Sequence, residues 1–340
     1  MLTFTIRRLL MAIPTLLFIS LVIFLLLELA PGDPLADMPL TIPPDVREKI
    51  RLSLGLGQPM HVRYGLWLYN LFVTEPQYWF DALFNTDFAE GSQRVISFQT
   101  RGPVFDTIAE RIPQTLMVVG MGYLVGTLVA LPIGIISAYR QYSWFDQVGT
   151  FVSMVGFSVP VFVTGVMLIV IFSVMIPNDS MFWLPSIYDT THKVTDWNSF
   201  VFQVKQMAMP VFVLALYNAA QISRYMRASM LDNLTQDYVR TARAKGLSEK
   251  VVLLKHVLRN SMIPVVTVIA LGVPSVFTGA IITENVFKVN GLGQQLLLSI
   301  QGNDAPMVLT ISFIFAILIV FFNLVADILY GVLDPRIRYD

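Results

Sequence analysis

Leu9-Leu10-Met11-Ala12-Ile13-Pro14-Thr15-Leu16-Leu17-Phe18-Ile19-Ser20-Leu21-Val22-Ile23-Phe24-Leu25-Leu26-Leu27 follows directly on Arg7-Arg8 and carries no charged side chain. The hydrocarbon core of a bilayer is about 30 Å thick and takes roughly 20 apolar residues to cross as helix. The stretch is longer than a typical signal-peptide core, and Glu28-Leu29-Ala30-Pro31 is a poor small-x-small cleavage site. It therefore reads as a retained membrane helix. Five further stretches free of Asp, Glu, Lys and Arg follow at 112–139, 147–178, 206–223, 260–283 and 305–326. The fourth of the six is the shortest and most polar, with Asn218 and Gln221 inside it.

Composition agrees with this count. Hydrophobic residues make up 55% of the chain and charged residues 14%, against about 25% charged in a soluble chain. Mean hydropathy is +0.65. These values exclude a disordered chain, a collagen and an ordinary cytosolic enzyme. Basic and acidic residues both number 23, so no overall basicity points to a nucleic-acid partner. Cysteine is absent, which excludes disulfides, thiolate zinc sites and iron–sulfur clusters. The expected fold is an all-α integral membrane protein of six transmembrane helices, with both termini on one side.

Positive charge in short loops sets the orientation. With the N-terminus cytoplasmic, segment 224–259 lies inside and holds Arg224, Arg227, Arg240, Arg243, Lys245, Lys250, Lys255 and Arg259. The tail adds Arg336 and Arg338, whereas the outside loop 177–205 holds only Lys193 and Lys205. Three parts follow. Residues 1–29 are the cytoplasmic end and first helix, 30–111 a sizeable external segment, and 112–340 a five-helix core that contains the inside loop 224–262. In the external segment, Pro43-Pro44-Asp45 starts a helix with Val46, Ile50 and Leu54 on one face, and Gly55 and Gly57-Gln58-Pro59 stop it. A second amphipathic stretch from Tyr64 to Phe72 is aromatic enough to lie at the membrane interface. Both read as a packed cap over the bundle, as a docking surface for an external partner, or as both.

The inside loop carries the most information. Asp237-Tyr238-Val239-Arg240-Thr241-Ala242-Arg243-Ala244-Lys245-Gly246 reads as a short helix stopped by glycine. Ser248 resembles the N-cap of a second helix, Glu249 through Arg259, ending at Ile263-Pro264 where the fifth span begins. Ala242 and Ala244 are small and let another surface approach the backbone. By charge alone the loop equally suits anchoring to anionic headgroups; its helix–Gly–helix organisation favours protein docking.

Ala242, Gly246, Ile263 and Pro264 fall at the spacing of the EAA loop of ATP-binding-cassette (ABC) importer permeases, and 238–247 resembles the version in dipeptide and oligopeptide permeases. Other landmarks agree in order: Ala30-Pro31-Gly32-Asp33-Pro34, Leu54-Gly55-Leu56-Gly57-Gln58-Pro59, Arg101-Gly102-Pro103-Val104, Arg111-Ile112-Pro113-Gln114-Thr115, Glu284-Asn285-Val286-Phe287, Gly291-Leu292-Gly293 and Asp334-Pro335-Arg336-Ile337-Arg338. The resemblance spans the whole chain, and the extended first external segment is similar to that of the B-type subunit. Thr241 stands where the loop's eponymous glutamate is expected, Asn290 where a proline is expected, and the stretch 85–92 departs from the usual Gly-Asp-Leu-Gly pattern.

The resemblance implies a type I ABC importer permease fold in the bacterial inner membrane. It implies a second, C-type permease, two cytoplasmic ATPase subunits that hold ATP and Mg, and a periplasmic or lipid-anchored peptide-binding protein. Surrounding membrane lipid completes the set, with no cofactor in this chain. It assigns ATPase coupling to Tyr238, Arg240, Thr241, Ala242, Ala244, Lys245 and Gly246. Asn218, Gln221 and Glu284 are the tentative wall of the translocation path; Asn218, Gln221 and Ser223 equally suit hydrogen bonding between helices. Peptide is the expected cargo, with glutathione, nickel chelates or opine-like compounds as alternatives within the class.

The chain has no Gly-x-x-x-x-Gly-Lys-Ser/Thr run to cradle ATP phosphates. Its spans hold almost none of the ionisable residues that ion-coupled carriers place at membrane depth. Glu28 and Asp327 stand at span ends, where interfacial positions explain them. His61, His192 and His256 are isolated in sequence, and no His-Glu-x-x-His or Gly-x-Ser-x-Gly is present. An enzyme is therefore disfavoured, and an ion-coupled secondary carrier is the remaining alternative. Gly122-x-x-x-Gly126 allows close helix approach, and Pro132, Pro160, Pro210 and Pro274 are placed to bend spans.

Overall fold

The computed structural model describes residues 2–30, 35, 43–53, 55–278 and 281–333. The landmarks at 31–34 and 334–338, with the tail residues Arg336 and Arg338, lie outside the described residues. Among the described residues the fold is helical, with one isolated β-bridge between Ile96 and Pro103. Thr5–Leu29, Val104–Tyr139, Trp197–Leu234, Glu249–Val276 and Ala305–Leu329 are each long and apolar enough to cross a membrane. The sixth expected span is a broken pair, Trp144–Ser158 and Val161–Val174, bent by 98°.

The bend falls at Pro160, one of the prolines placed to bend spans, and the stretch 147–178 is two helices rather than one tilted helix. Pro160 has no N–H and disfavours helical geometry in the residue before it. Val159 accordingly lies at φ −77°, ψ 126°. Pro132, Pro210 and Pro274 stay inside continuous helices.

The chain forms two compact units. The first comprises residues 10–112 and 295–317. It contains most of α1 (Leu2–Leu29), α2 (Pro44–Ser53), α3 (Met60–Tyr69), a π turn at Asn70–Thr74, α4 (Glu75–Phe84) and most of α5 (Val104–Thr115). Its core is aromatic. Trp67 donates from Nε1 to Thr310 Oγ1 at 3.2 Å, and its ring meets Phe313 edge-on. Arg94 holds the external segment together through Glu75 at 2.8 Å and Asp106 at 2.9 Å. Asp304 accepts from Phe98 N at 2.9 Å and from the Ser97 hydroxyl.

The second unit comprises residues 1–9, 113–294 and 318–340. Arg8 meets Asp327 at 2.6 Å, so the start of α1 and the last turns of the final helix share one end of the bundle. The unit is built on α6 (Met121–Tyr139), α7 (Trp144–Ser158), α8 (Val161–Ile169) and α9 (Trp197–Leu234). Glycine sets the close approach of α6 and α9. A methyl at Gly126 would lie 2.8 Å from Ala215 O, and one at Gly134 would lie 2.6 Å from Met226 Cβ.

At 38 residues α9 is about 57 Å long. It continues past the expected span 206–223, so residues 224–234, expected as loop, are helix. Then come α10 (Asp237–Ala244), α11 (Glu249–Val251), a π turn at Val252–Val257, α12 (Leu258–Thr278) and α13 (Ile281–Phe287). The helix expected to end at Ile263-Pro264 instead continues through Pro264 into the fifth span. Pro264 removes one i→i−4 bond from the ladder, a loss that a membrane helix tolerates because the flanking turns keep their own bonds. Two helices complete the described chain: α14 (Leu292–Gln301) and α15 (Ala305–Leu333).

Candidate functional site

The elbow between α9 and α12 forms for local reasons. Gln236, extended at ψ 151°, starts α10. Gly246 ends it at φ +75°. Gly246 N donates to Arg243 O at 2.9 Å and Leu247 N to Ala242 O at 3.4 Å. This pair of bonds is a Schellman stop, which needs a left-handed residue after the helix. Ser248 occupies the next N-cap position in extended geometry, but its side chain makes no capping bond. Arg243 closes the turn instead, meeting Glu249 at 2.7 Å. The hydrogen bond to Glu249 raises the Arg243 pKa above its usual value.

Within α10 the periodicity separates two faces. Val239 is fully buried and Ala242 nearly so. They join a cluster with Ala130 and Ala138 of α6, Ile222, Met226 and Met230 of α9, and Val252, Val257 and Val265 beyond the turn. Tyr238, Arg240, Thr241, Ala244, Lys245 and Gly246 remain exposed. The expectation that Ala242 offers a partner close access to the backbone is therefore corrected. Its methyl faces the chain's own core, and only Ala244 of the two small residues faces outward. Tyr238 donates from its hydroxyl to Asn233 Oδ1 at 2.7 Å, and Thr241 Oγ1 donates to Asp237 O at 2.9 Å.

Two polar ties brace the same end of the bundle. Arg227 Nε and a terminal guanidinium nitrogen reach the two oxygens of Asp146 at 2.7 and 2.8 Å. Asp146 also accepts from Tyr142 N at 2.9 Å. Ser229 Oγ donates to Ser261 O at 2.9 Å, and Ser261 Oγ lies 3.2 Å from Ser229 O. Sequence reasoning counted Arg227 only as loop charge and missed Asp146 as its partner. The residues are 81 apart, and nothing local pairs them.

Asn218 and Gln221 lie about one turn apart on α9, and Glu284 lies in α13. Asn218 Nδ2 donates to Leu214 O at 2.9 Å, and its Cβ would be 3.0 Å from a methyl at Gly126; it lies where α6 and α9 pack. Ser223 Oγ is 3.3 Å from Ser153 Oγ of α7, which is the interhelical reading. Gln221 is half-buried on α9.

Glu284 is fully buried, which corrects its placement on a path wall. Its carboxylate accepts from Thr115 Oγ1 at 3.0 Å and Gln294 N at 2.8 Å. Thr115 Oγ1 in turn accepts from Leu292 N at 2.8 Å. A methyl at Gly291 would overlap both the carboxylate and the Thr115 hydroxyl. Three sequence landmarks, 111–115, 284–287 and 291–293, thus converge on one buried knot.

Comparison with known proteins follows the same outline. Residues 130–339 match the family described as binding-protein-dependent transport system inner membrane component. Residues 1–119 match the N-terminal component of such systems. The oligopeptide transport system permease protein AppB of Bacillus subtilis (strain 168) is 37% identical over 343 residues, covering 100% of both chains. The dipeptide transport system permease protein DppB of Escherichia coli (strain K12) is 35% identical over 356 residues, covering 100% of this chain and 99% of its own. A putative peptide transport system permease protein of Brucella abortus (strain 2308) is 34% identical, covering 98% of both.

Proposed function

This chain belongs to the family of binding-protein-dependent transport system inner membrane components, of the dipeptide and oligopeptide permease kind, and from that premise we propose how it works. It is a multi-pass inner membrane subunit of an ABC importer. In our reading it is the B-type permease of an ATP-driven peptide importer, pairing with a C-type permease to enclose the path. Two cytoplasmic ATPases, which carry ATP and Mg, grip the α10 elbow. A periplasmic or lipid-anchored binding protein delivers peptide from outside, and both termini are cytoplasmic.

The observation that carries the reading is the division of α10. Its exposed face, Tyr238, Arg240, Thr241, Ala244, Lys245 and Gly246, is available to a partner. Its buried face, Val239 and Ala242, is set among residues of α6, α9 and α12. A push on the exposed side moves a packed element rather than a loose loop, because interiors near crystal density transmit displacement. Nucleotide-driven closure of the ATPases then biases a bundle with two openings, outward and inward. Of the tentative path residues we retain Gln221 alone. The relatives named for oligopeptide and dipeptide transport support a peptide cargo.

Cysteine is absent from the chain, so Ala244→Cys gives a single labelling site. We expect it to crosslink to an ATPase subunit in the assembled importer, with a yield that changes between nucleotide-free and ATP-bound states. Purification of the chain with no associated ATPase, and no crosslink at Ala244→Cys or Lys245→Cys, overturns the reading.

A further inference from the structure

The helical rod from Met60 to Phe84 has its faces reversed for a helix in water. α3, the π turn and α4 run without a break, about 37 Å at 1.5 Å per residue. Leu66, Tyr69, Phe72, Pro76, Trp79, Phe80, Leu83 and Phe84 are all exposed. Tyr69 is 57% exposed and Leu83 75%. No exposed residue of 62–84 is charged. The charged side chains point the other way. Arg63 pairs with Glu28, Glu75 is fully buried against Arg94, and Asp81 accepts from Phe88 N at 3.0 Å and Ala89 N at 2.7 Å. Water favours the opposite arrangement, and an apolar stripe of this length is not left bare in an aqueous compartment.

The contacts of the inward face fix the depth. Trp67 bonds to Thr310, five residues into α15 from Ala305, or about 8 Å along the helix. Phe72 meets Phe313 edge-on, eight residues in, or about 12 Å. Tyr64 shares a hydrogen bond with Ser20 at 2.8 Å, nine residues before Leu29, or about 13 Å. Its ring lies 5.2 Å from Phe24. These partners belong to the apolar parts of two membrane spans. α1, with 6% of the residues in its most apolar stretch buried, presents a similarly exposed apolar surface beside the rod.

We propose that the 60–84 helix is embedded at the headgroup–acyl boundary of the leaflet at the Leu29 end of α1. Its aromatic face lies against phospholipid instead of standing in the aqueous space between the first two spans. Aromatic side chains are favoured at that depth, where the ring is buried and a polar tip reaches headgroups. The first external segment then holds a lipid-bound rod between α2 and a water-facing stretch from Asn85 onward. On the proposed orientation the leaflet is the outer one.

The test uses the full chain in nanodiscs. Tyr69→Cys and Leu83→Cys carry an environment-sensitive fluorophore, with Glu90→Cys as the water-facing control; all three side chains are exposed, so substitution leaves packing intact. Labels at 69 and 83 are expected to emit at shorter wavelength than the label at 90. They should lose intensity in phosphatidylcholine brominated near the top of its acyl chains, and resist aqueous iodide. Iodide quenching at both sites overturns the proposal. So does resistance to both quenchers, which means that protein covers the face.

Discussion

At the scale of the residue, Gly246 and Glu284 show how differently a single position is constrained. Gly246 has open space around the place a side chain would occupy, so its constraint is the backbone at φ +75°. An L-residue there costs about 1–2 kcal/mol. Gly246→Ala is expected to keep most transport activity, and Gly246→Trp to lose it while the chain still inserts. Peptide uptake measured beside ATPase co-purification distinguishes the two, and normal uptake with Gly246→Trp contradicts the elbow's role. Glu284 is constrained by its partners. Glu284→Ala strands the Thr115 hydroxyl and Gln294 N, a loss of about 1–3 kcal/mol. Glu284→Gln keeps an acceptor and should recover much of it, as detergent-solution thermal melting would show; equal melting of the two variants argues against the knot. The glycine stop was legible in the sequence because helix termination is local. The burial of Glu284 was not, because its partners lie 169 and 10 residues away.

At the scale of the element, the question is what moves with what. The Asp146–Arg227 bridge ties the start of α7 to α9, and the Asp146 side chain is only 3% exposed. Removing its partner leaves a nearly buried carboxylate unpaired, so Arg227→Ala should destabilise the bundle by about 3 kcal/mol. Arg227→Lys restores charge but not the two-pronged contact, and should recover only part of the stability in the same melting assay. Full recovery would show that charge alone matters. The α6–α9 seam is tighter still. Gly134→Leu drives a side chain into Met226 and Ser223 O; overpacking typically costs about 1–3 kcal/mol. Reduced folded yield in membranes is the expected readout, and wild-type yield would mean that the helices separate freely. Hydrophobic length found a membrane-length helix at five of the six expected spans, and at the sixth it ran α7 and α8 together. A run of apolar residues records how much chain is buried, not the direction in which it leaves a proline.

At the scale of the whole molecule, a chain without a phosphate-binding loop needs outside work to move solute uphill. On the function proposed above, reconstitution with a second permease, ATPases and a binding protein should give peptide accumulation only when ATP reaches the ATPases. Uptake by the purified chain alone, driven by a cation gradient in liposomes, would refute the assignment. By itself the sequence determined the class of molecule, the number of apolar stretches, the helix–Gly–helix elbow and the resemblance along the chain. Each of these depends on residues near one another in sequence: span length, charge between spans, a glycine at a helix end. Only the tertiary structure decided that Ala242 faces inward, that Asn218 and Ser223 serve helix packing, that three landmarks meet at Glu284, and that the 60–84 rod exposes its aromatic side. Those outcomes are set by which surfaces find one another across tens to hundreds of residues, and periodicity carries the shape of a face but not the identity of what covers it.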